Sequence, residues 1–347
     1  MSPNLDRDLA EVIEQVGSAW SDLKGARILI TGGTGFFGCW LLESLLHANR
    51  VLGLGARAVV LTRDPSAFRA KAPELAGNPA VELLQGDVLQ FPGMSGECSH
   101  LIHAAMEGTD LNLQTGALRT FDSIVLGTRN VLEWASTRSL DRALFTSSGA
   151  VYGPQPPGLE RIPDGWTGAP ECANPRAAYA EGKRAAETLC SLFSNQSGLP
   201  ITIARCFAFT GPYLPLDLQF AVGNFIRDAL RGGPIVLAGD GTPCRSYLYA
   251  SDLAAWLWLI LLRGEPGIPI NVGSEEAISI AGLAELVSRL VGGVAVQIQG
   301  TPDPSRLPER YVPETSRAKA MGLQVNVEFE QAILRTVEWN RHIQAGC

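Results

Sequence analysis

The stretch ILITGGTGFFG, residues 28–38, constrains this chain more than any other. A short apolar run that reads as a buried strand passes directly into Gly32, Gly33, Thr34 and Gly35. Phe36, Phe37 and Gly38 follow where a helix should begin. Such a turn gathers unpaired amides and the positive end of a helix dipole at one point, which suits a pyrophosphate. The spacing Gly33-x-Gly35-x-x-Gly38 is that of a dinucleotide-binding turn. A Cβ at Gly33 or Gly35 is expected to hold the phosphates off, and one at Gly38 to hold the helix off the strand. The motif alone is also compatible with a bare tight turn; the strand before it and the helix after it favour the dinucleotide.

Strand and helix patterns alternate around this turn. Strands are expected over 27–31, 58–62, 81–85, 101–104, 142–147 and 201–205, and helices over 38–48, 120–136 and 177–194. Short apolar strands separated by helices imply an α/β fold, a Rossmann-type doubly wound parallel sheet. After Gly211 the prolines at 212, 215, 234, 243, 266 and 269 break the pattern, with helices expected over 223–231 and 282–291. The expected organisation is an N-terminal helical extension (1–24), a dinucleotide-binding domain (25–211) and a smaller C-terminal α/β substrate-binding lobe (212–347). Segments near 245–272 are expected to return to the sheet. The extension rests on Leu5, Leu9, Val12, Ile13, Val16 and Trp20 at helical spacing.

The 347 residues are 46% apolar and 18% charged, enough for a large buried core and contrary to disorder. A net charge of −7 with no basic run argues against a nucleic acid or an anionic membrane as partner. The longest apolar run, 253–262, is half the length a bilayer needs and reads as a buried helix. Asp6, Asp8 and Glu11 are at odds with a signal peptide, so the expected location is cytoplasmic. Seven cysteines without CxxC spacing read as reduced thiols, and the four histidines form no ligand pattern, so no metal is expected.

The end of the second strand reads Val60, Leu61, Thr62, Arg63, Asp64. An acidic residue there would bind the ribose 2′-hydroxyl, whereas arginine suits a 2′-phosphate. Thr62 at the acidic position with Arg63 after it leans the cofactor NAD(P)(H) towards NADP(H) over NAD(H). Asp64 restores NAD(H) if the register is off by one or two, and Arg63 reads equally as a solvated loop charge.

Tyr179 and Lys183 stand four apart and share one face of the expected helix. An ammonium beside a phenol stabilises the phenolate, so such a tyrosine can exchange a proton with an alcohol or ketone near neutral pH. About 30 residues earlier, FTSSGAVYG (145–153) leaves a strand and places Ser147 and Ser148 where a hydroxyl can reach the same substrate oxygen. Singly, each feature is as readily structural; together and in this order they are not.

These segments resemble the extended short-chain dehydrogenase/reductases, and among them the nucleotide-sugar epimerases and dehydratases, over about residues 27–322. Asp87 and Val88 resemble the segment that contacts adenine in that family. His103, Ala104 and Ala105 resemble its loop after the fourth strand. The stretches around Asn224, Arg245 and Arg310 resemble its nucleotide-sugar clamp. The resemblance implies that Tyr179 is the acid/base, that Lys183 holds the nicotinamide ribose, and that Ser148, with Ser147 as fallback, polarises the substrate oxygen. It implies that Arg245 and Arg310 pair with the diphosphate; for either arginine alone a surface ion pair is the plainer reading. It also implies a nucleotide-diphosphate sugar as substrate and a homodimer through helices 120–136 and 177–194.

Departures narrow the reaction. Gly149 and Ala150 stand where 4,6-dehydrating members of the family carry an Asp-Glu pair. Ala150 also replaces a glutamate of the UDP-glucuronate decarboxylases, which the stretch 179–189 otherwise resembles, and Ala208 replaces a family asparagine. What survives is hydride transfer at a sugar carbon, C4 foremost, by a 4-ketoreductase or a 4-epimerase. The alternatives are a decarboxylase or dehydratase, and a non-catalytic NADP-binding sensor or scaffold.

Overall fold

The structure is a computed structural model that describes residues 3–106, 116–218 and 220–345. Six strands, β1 (Arg27–Thr31), β2 (Arg57–Thr62), β3 (Val81–Gln85), β4 (His100–His103), β5 (Arg142–Ser148) and β6 (Ile201–Cys206), join with Pro269–Val272 in one seven-stranded sheet. The order is Pro269–Val272, β6, β5, β4, β1, β2, β3, and every neighbouring pair is parallel. Strand order reverses between β1 and β4, and sheets of this kind bind ligands beyond the carboxyl ends of the strands at that reversal. Residues 28 and 30 of β1 face one core cluster and residue 29 the other, so the strand is buried on both faces. That double burial is why it reads as an unbroken apolar run.

Helices Phe36–Leu52 and Ala250–Arg263 supply the core on one face of the sheet. Helices Ala117–Ser136 and Ala178–Ser197 supply it on the other. The helix over 250–263 is buried on all sides along 250–262, and a helix that is apolar all round has to be covered all round. The N-terminal helix Pro3–Val16 covers one of those sides. Leu5, Leu9, Val12 and Val16 are buried against it, and Trp20 lies 5.3 Å from Trp258, ring centre to ring centre. Buried Asp8 accepts from the Tyr249 hydroxyl at 2.7 Å and pairs with Arg335 of helix Phe329–Ala345. The extension is therefore a wall of the core.

The expected helices and strands of the first 211 residues are present with small shifts at their ends. Helix Pro65–Lys71 was not foreseen, nor was Phe329–Ala345. After residue 211 small sheets have strands two or three residues long: Ile278–Ser279, Cys244–Arg245 and Arg310–Tyr311 in one, and Ile235–Leu237 with Val296–Ile298 in another. Six cysteines are free thiols among the described residues, and Cys347 lies outside them.

The glycine turn is built by backbone contact. A Cβ on Gly38 would stand 2.3 Å from the Gly33 backbone, so the helix can seat on the turn only without one. Gly32 has φ +74° and would drive a Cβ to 2.4 Å from the Ala104 carbonyl oxygen. Gly33 corrects the expectation that its missing side chain makes room for phosphate: a Cβ there would meet Val60 Cγ1 of β2 at 2.7 Å. Only Gly35 keeps its open side free, its nearest neighbour being the Gly32 carbonyl oxygen at 3.3 Å. Gly33→Ala is predicted to cost roughly 1–3 kcal/mol of stability by overpacking. In denaturant titrations, Gly33→Ala with Val60→Ala should cost less than the sum of the two single changes; strict additivity would contradict this packing.

Candidate active site

Asn174 and Pro175 start the helical segment that carries the tyrosine. The Asn174 amide oxygen accepts from the Arg176 amide at 3.0 Å, and Pro175 takes the first position of the turn Pro175–Ala177. Tyr179 follows at the start of helix Ala178–Ser197, with Lys183 one turn on. Lys183 is buried; its Nζ donates to the Thr146 carbonyl at 2.7 Å and lies 4.8 Å from the Phe145 ring centre. β5 ends at Ser148, whose Oγ accepts from the Ala150 amide at 3.1 Å and so caps the turn Gly149–Tyr152. The Ser148 hydroxyl is also the side-chain group that opposes the effect of burial on the Tyr179 phenol.

Both members of the expected acid/base pair are strongly desolvated. Burial pushes the Tyr179 phenol up to about 12, opposed by the Ser148 hydrogen bond. Burial pushes Lys183 down to about 8. The Lys183 ammonium is turned to the Thr146 carbonyl.

The two serines separate cleanly. Ser147 Oγ donates to Glu187 Oε1 at 2.5 Å, and the same carboxylate takes Arg205 Nε at 3.0 Å and Nη2 at 2.7 Å. Ser147 is thus engaged by a half-buried ion pair, whereas Ser148 is the serine that acts on the Tyr179 phenol. At Gly149 a Cβ would sit 2.6 Å from the Phe207 ring, so no side chain fits there without displacing it.

Beyond β1 and β2 a cavity of about 280 Å³ is lined by Gly32, Thr34, Thr62, Arg63, Asp87, Val88 and Ala105 among others. Helix Phe36–Leu52 has no side-chain cap; its first backbone bond runs from the Cys39 amide to the Gly35 carbonyl, so the amides of 36–38 have no partner within the helix. The side chains of Phe36 and Phe37 pack on each other at 5.7 Å, and Phe37 packs edge-on to Phe209 at 5.1 Å. The His103 imidazole is a correction: it is buried away from the cavity between Thr31 Oγ1 at 2.7 Å and Thr128 Oγ1 at 3.0 Å, and burial holds it neutral. Backbone of Ala104 and Ala105 borders the turn at Gly32. Lys71, which the sequence did not reveal, donates to the Thr34 carbonyl at 2.7 Å from the cavity wall. Asp64 caps helix Pro65–Lys71 through the Ala67 amide at 2.9 Å, and Thr62 is buried.

On the second lobe, Arg245 and Tyr311 are register partners on parallel strands, and the Arg245 guanidinium lies 5.9 Å from the Tyr311 ring centre. Arg310 pairs in register with Cys244, so side-chain alternation sends it to the face opposite Arg245, where it donates to the Glu160 carbonyl at 3.2 Å. The two arginines do not converge. The Asn224 amide oxygen accepts from Arg227 Nη1 at 3.3 Å on its own helix. Tyr311 is the residue sequence reasoning missed: its hydroxyl stands 3.5 Å from Ser148 Oγ, and its ring packs on Phe207 at 4.6 Å. Among the described residues no group of His, Cys, Asp and Glu side chains could hold a metal ion, and no helix is long and apolar enough to cross a membrane.

Comparison with known proteins agrees with this geometry. UDP-glucuronic acid decarboxylase 3 of Arabidopsis thaliana is 31% identical over 310 residues, 88% of this chain and 86% of that protein. An epimerase of Methanothermobacter thermautotrophicus superposes with a TM-score of 0.80 at 23% identity, over 96% of this chain and 97% of that one. A dTDP-glucose 4,6-dehydratase of Streptomyces venezuelae, with NAD bound, superposes with a TM-score of 0.79 at 22% identity, over 92% and 98%. Residues 28–273 match the model of the NAD dependent epimerase/dehydratase family, and the chain belongs to that family.

Proposed function

We propose that this enzyme transfers a hydride at C4 of a nucleotide-diphosphate sugar, as a 4-ketoreductase. The observation that carries the reading is the meeting of Tyr179 and Ser148 at the carboxyl end of β5 with Lys183 buried behind them, and with Gly149 and Ala150 supplying no carboxylate. Elimination of water or loss of CO₂ needs a further base or acid beside the sugar; hydride transfer does not.

The open side of Gly35, the amides of 36–38 and the cavity beside Thr62 fit a dinucleotide, with the pyrophosphate on the helix start and the adenosine against Asp87, Val88 and Ala105. When bound, the dinucleotide supplies hydride at its nicotinamide ring. Tyr179 gives the proton to the C4 oxygen, and Ser148 donates a hydrogen bond to the same oxygen as charge develops. Lys183 presents its ammonium from behind, where the ribose is expected. Arg245 beside Tyr311 faces the substrate diphosphate, with Asn224 as a secondary contact. NADP(H) is favoured over NAD(H): Asp64 is committed to its helix cap, Thr62 carries no charge, and Arg63 and Lys71 line the ribose side. A homodimer is supported by Leu118, Leu126 and Leu192, exposed on the paired helices Ala117–Ser136 and Ala178–Ser197. A cytoplasmic location accords with the free cysteines.

The name of the Arabidopsis relative favours a second reading, decarboxylation of a UDP-uronic acid, which would have to proceed without the glutamate replaced by Ala150. A 4-epimerase uses the same three residues and differs in keeping its cofactor. A bare cofactor sensor would have no use for the Tyr179, Ser148 and Lys183 arrangement.

Tyr179→Phe is predicted to lower hydride transfer at least about a hundredfold, read as cofactor absorbance with nucleotide sugars, while cofactor affinity is unchanged. Ser148→Ala should cost a comparable factor. Ser147→Ala should instead lower stability, since it strips a partner from the Glu187–Arg205 pair. Equal activity losses for both serines would contradict the assignment. Denaturing the purified protein and identifying released dinucleotide is predicted to yield none, and NADPH to bind more tightly than NADH. Firmly retained NAD would favour the epimerase.

A further inference from the structure

We infer that Tyr213 is a positioning residue for the nucleotide-sugar side of the cleft. Its phenol, held on the buried Glu43 carboxylate, sets where the chain turns away from helix Phe36–Leu52 and so where the helix bearing Asn224 lies. The inference rests on the proposed reading of Asn224 as a nucleotide-sugar contact and adds a residue that acts through the intervening loop. Among the described residues Tyr213 is the one non-glycine with a left-handed backbone, φ +69°. A bulky residue is strained there, and such strain persists only where the surroundings over-determine it.

Segment 209–213 is fastened down one side of helix Phe36–Leu52. The Phe209 ring packs edge-on to Phe37 at 5.1 Å, the Pro212 carbonyl accepts from Trp40 Nε1 at 2.9 Å, and the Tyr213 hydroxyl donates to Glu43 Oε1 at 2.5 Å. Trp339 of helix Phe329–Ala345 packs on the Tyr213 ring at 4.9 Å. Glu43 is buried, so removing the phenol strips a donor from a carboxyl that water does not replace. Past this corner, Leu214 is buried with Val222, Phe225 and Ile226 of helix Ala221–Leu230. That helix lies directly on the loop: a Cβ on Gly223 would stand 3.1 Å from the Pro215 carbonyl oxygen. Asn224 is the next residue, and Arg227 reaches both the Asn224 amide oxygen at 3.3 Å and the Leu216 carbonyl at 3.5 Å. A glycine at 213 would adopt the backbone without strain yet leave the loop unfastened at this end. The phenol, and not the turn alone, therefore carries the placement.

The test is titration calorimetry with NADPH and with whichever of UDP, dTDP, GDP and CDP the parent enzyme holds most tightly. Tyr213→Phe should weaken the nucleoside diphosphate about tenfold and leave NADPH affinity unchanged. Tyr213→Gly should weaken it at least as much, although its backbone is relaxed. Glu43→Gln keeps an acceptor for the phenol and should stay within about twofold of the parent. Glu43→Ala should match Tyr213→Phe, with no further loss when the two are combined. A role in stability alone would lower the melting temperature of Tyr213→Phe with both affinities unchanged, and that result overturns the inference. So does a Tyr213→Gly enzyme that binds like the parent, an equal loss of NADPH affinity, or a parent that binds none of the four diphosphates. A chain that reduces no nucleotide sugar yet shows the expected pattern loses the proposed reaction and keeps the positioning role of Tyr213.

Discussion

Backbone-on-backbone contact at Gly38 and Gly33 fixes where everything in the cleft can lie. With no Cβ between them, helix Phe36–Leu52 starts directly over the carboxyl end of β1, and its first amides face the crevice where strand order reverses. The same closeness explains Val60: β2 can approach the turn only because Gly33 has no side chain. On the proposed reading, a dinucleotide laid over this point would run from the cavity beside β2 towards β5, where Ser148 and Tyr179 stand. The position of the chemistry is thus a consequence of packing at the turn.

The second constraint is desolvation. Tyr179 and Lys183 are both pushed away from their charged forms by burial. The hydrogen bonds of Ser148 and the charge of a bound nicotinamide are what remain to favour the phenolate. A buried, weakly hydrated site raises the energetic weight of each such bond, since water no longer competes for it. That is also why the ion pair of Glu187 with Arg205 matters: it occupies Ser147, and leaves a single serine hydroxyl to serve the cleft.

Much of the architecture was legible in the sequence because parallel strands buried on both faces appear as short apolar runs, and β1, β3 and β5 were found almost to the residue. The helix over 250–263 announced its burial by composition, though not that the N-terminal helix covers it. Lobe elements of two or three residues carry no periodicity, so Arg310–Tyr311 was read for its arginine, and the alternation that sends Arg310 one way and Tyr311 the other was invisible. Tyr179, Lys183 and Ser148 were recognisable by spacing and order. The orientation of Lys183, the loss of Ser147 to Glu187 and the role of Gly33 against Val60 depend on contacts across elements, which spacing along the chain does not encode.

The claim at the centre of this account is that the site moves hydride and protons but breaks no carbon–carbon bond. Incubating the enzyme with UDP-glucuronic acid and either oxidised cofactor, while trapping released CO₂ and analysing the nucleotide sugar, tests it directly. The account predicts no CO₂ and no pentose product. Catalytic release of CO₂ with formation of a UDP-pentose would contradict it.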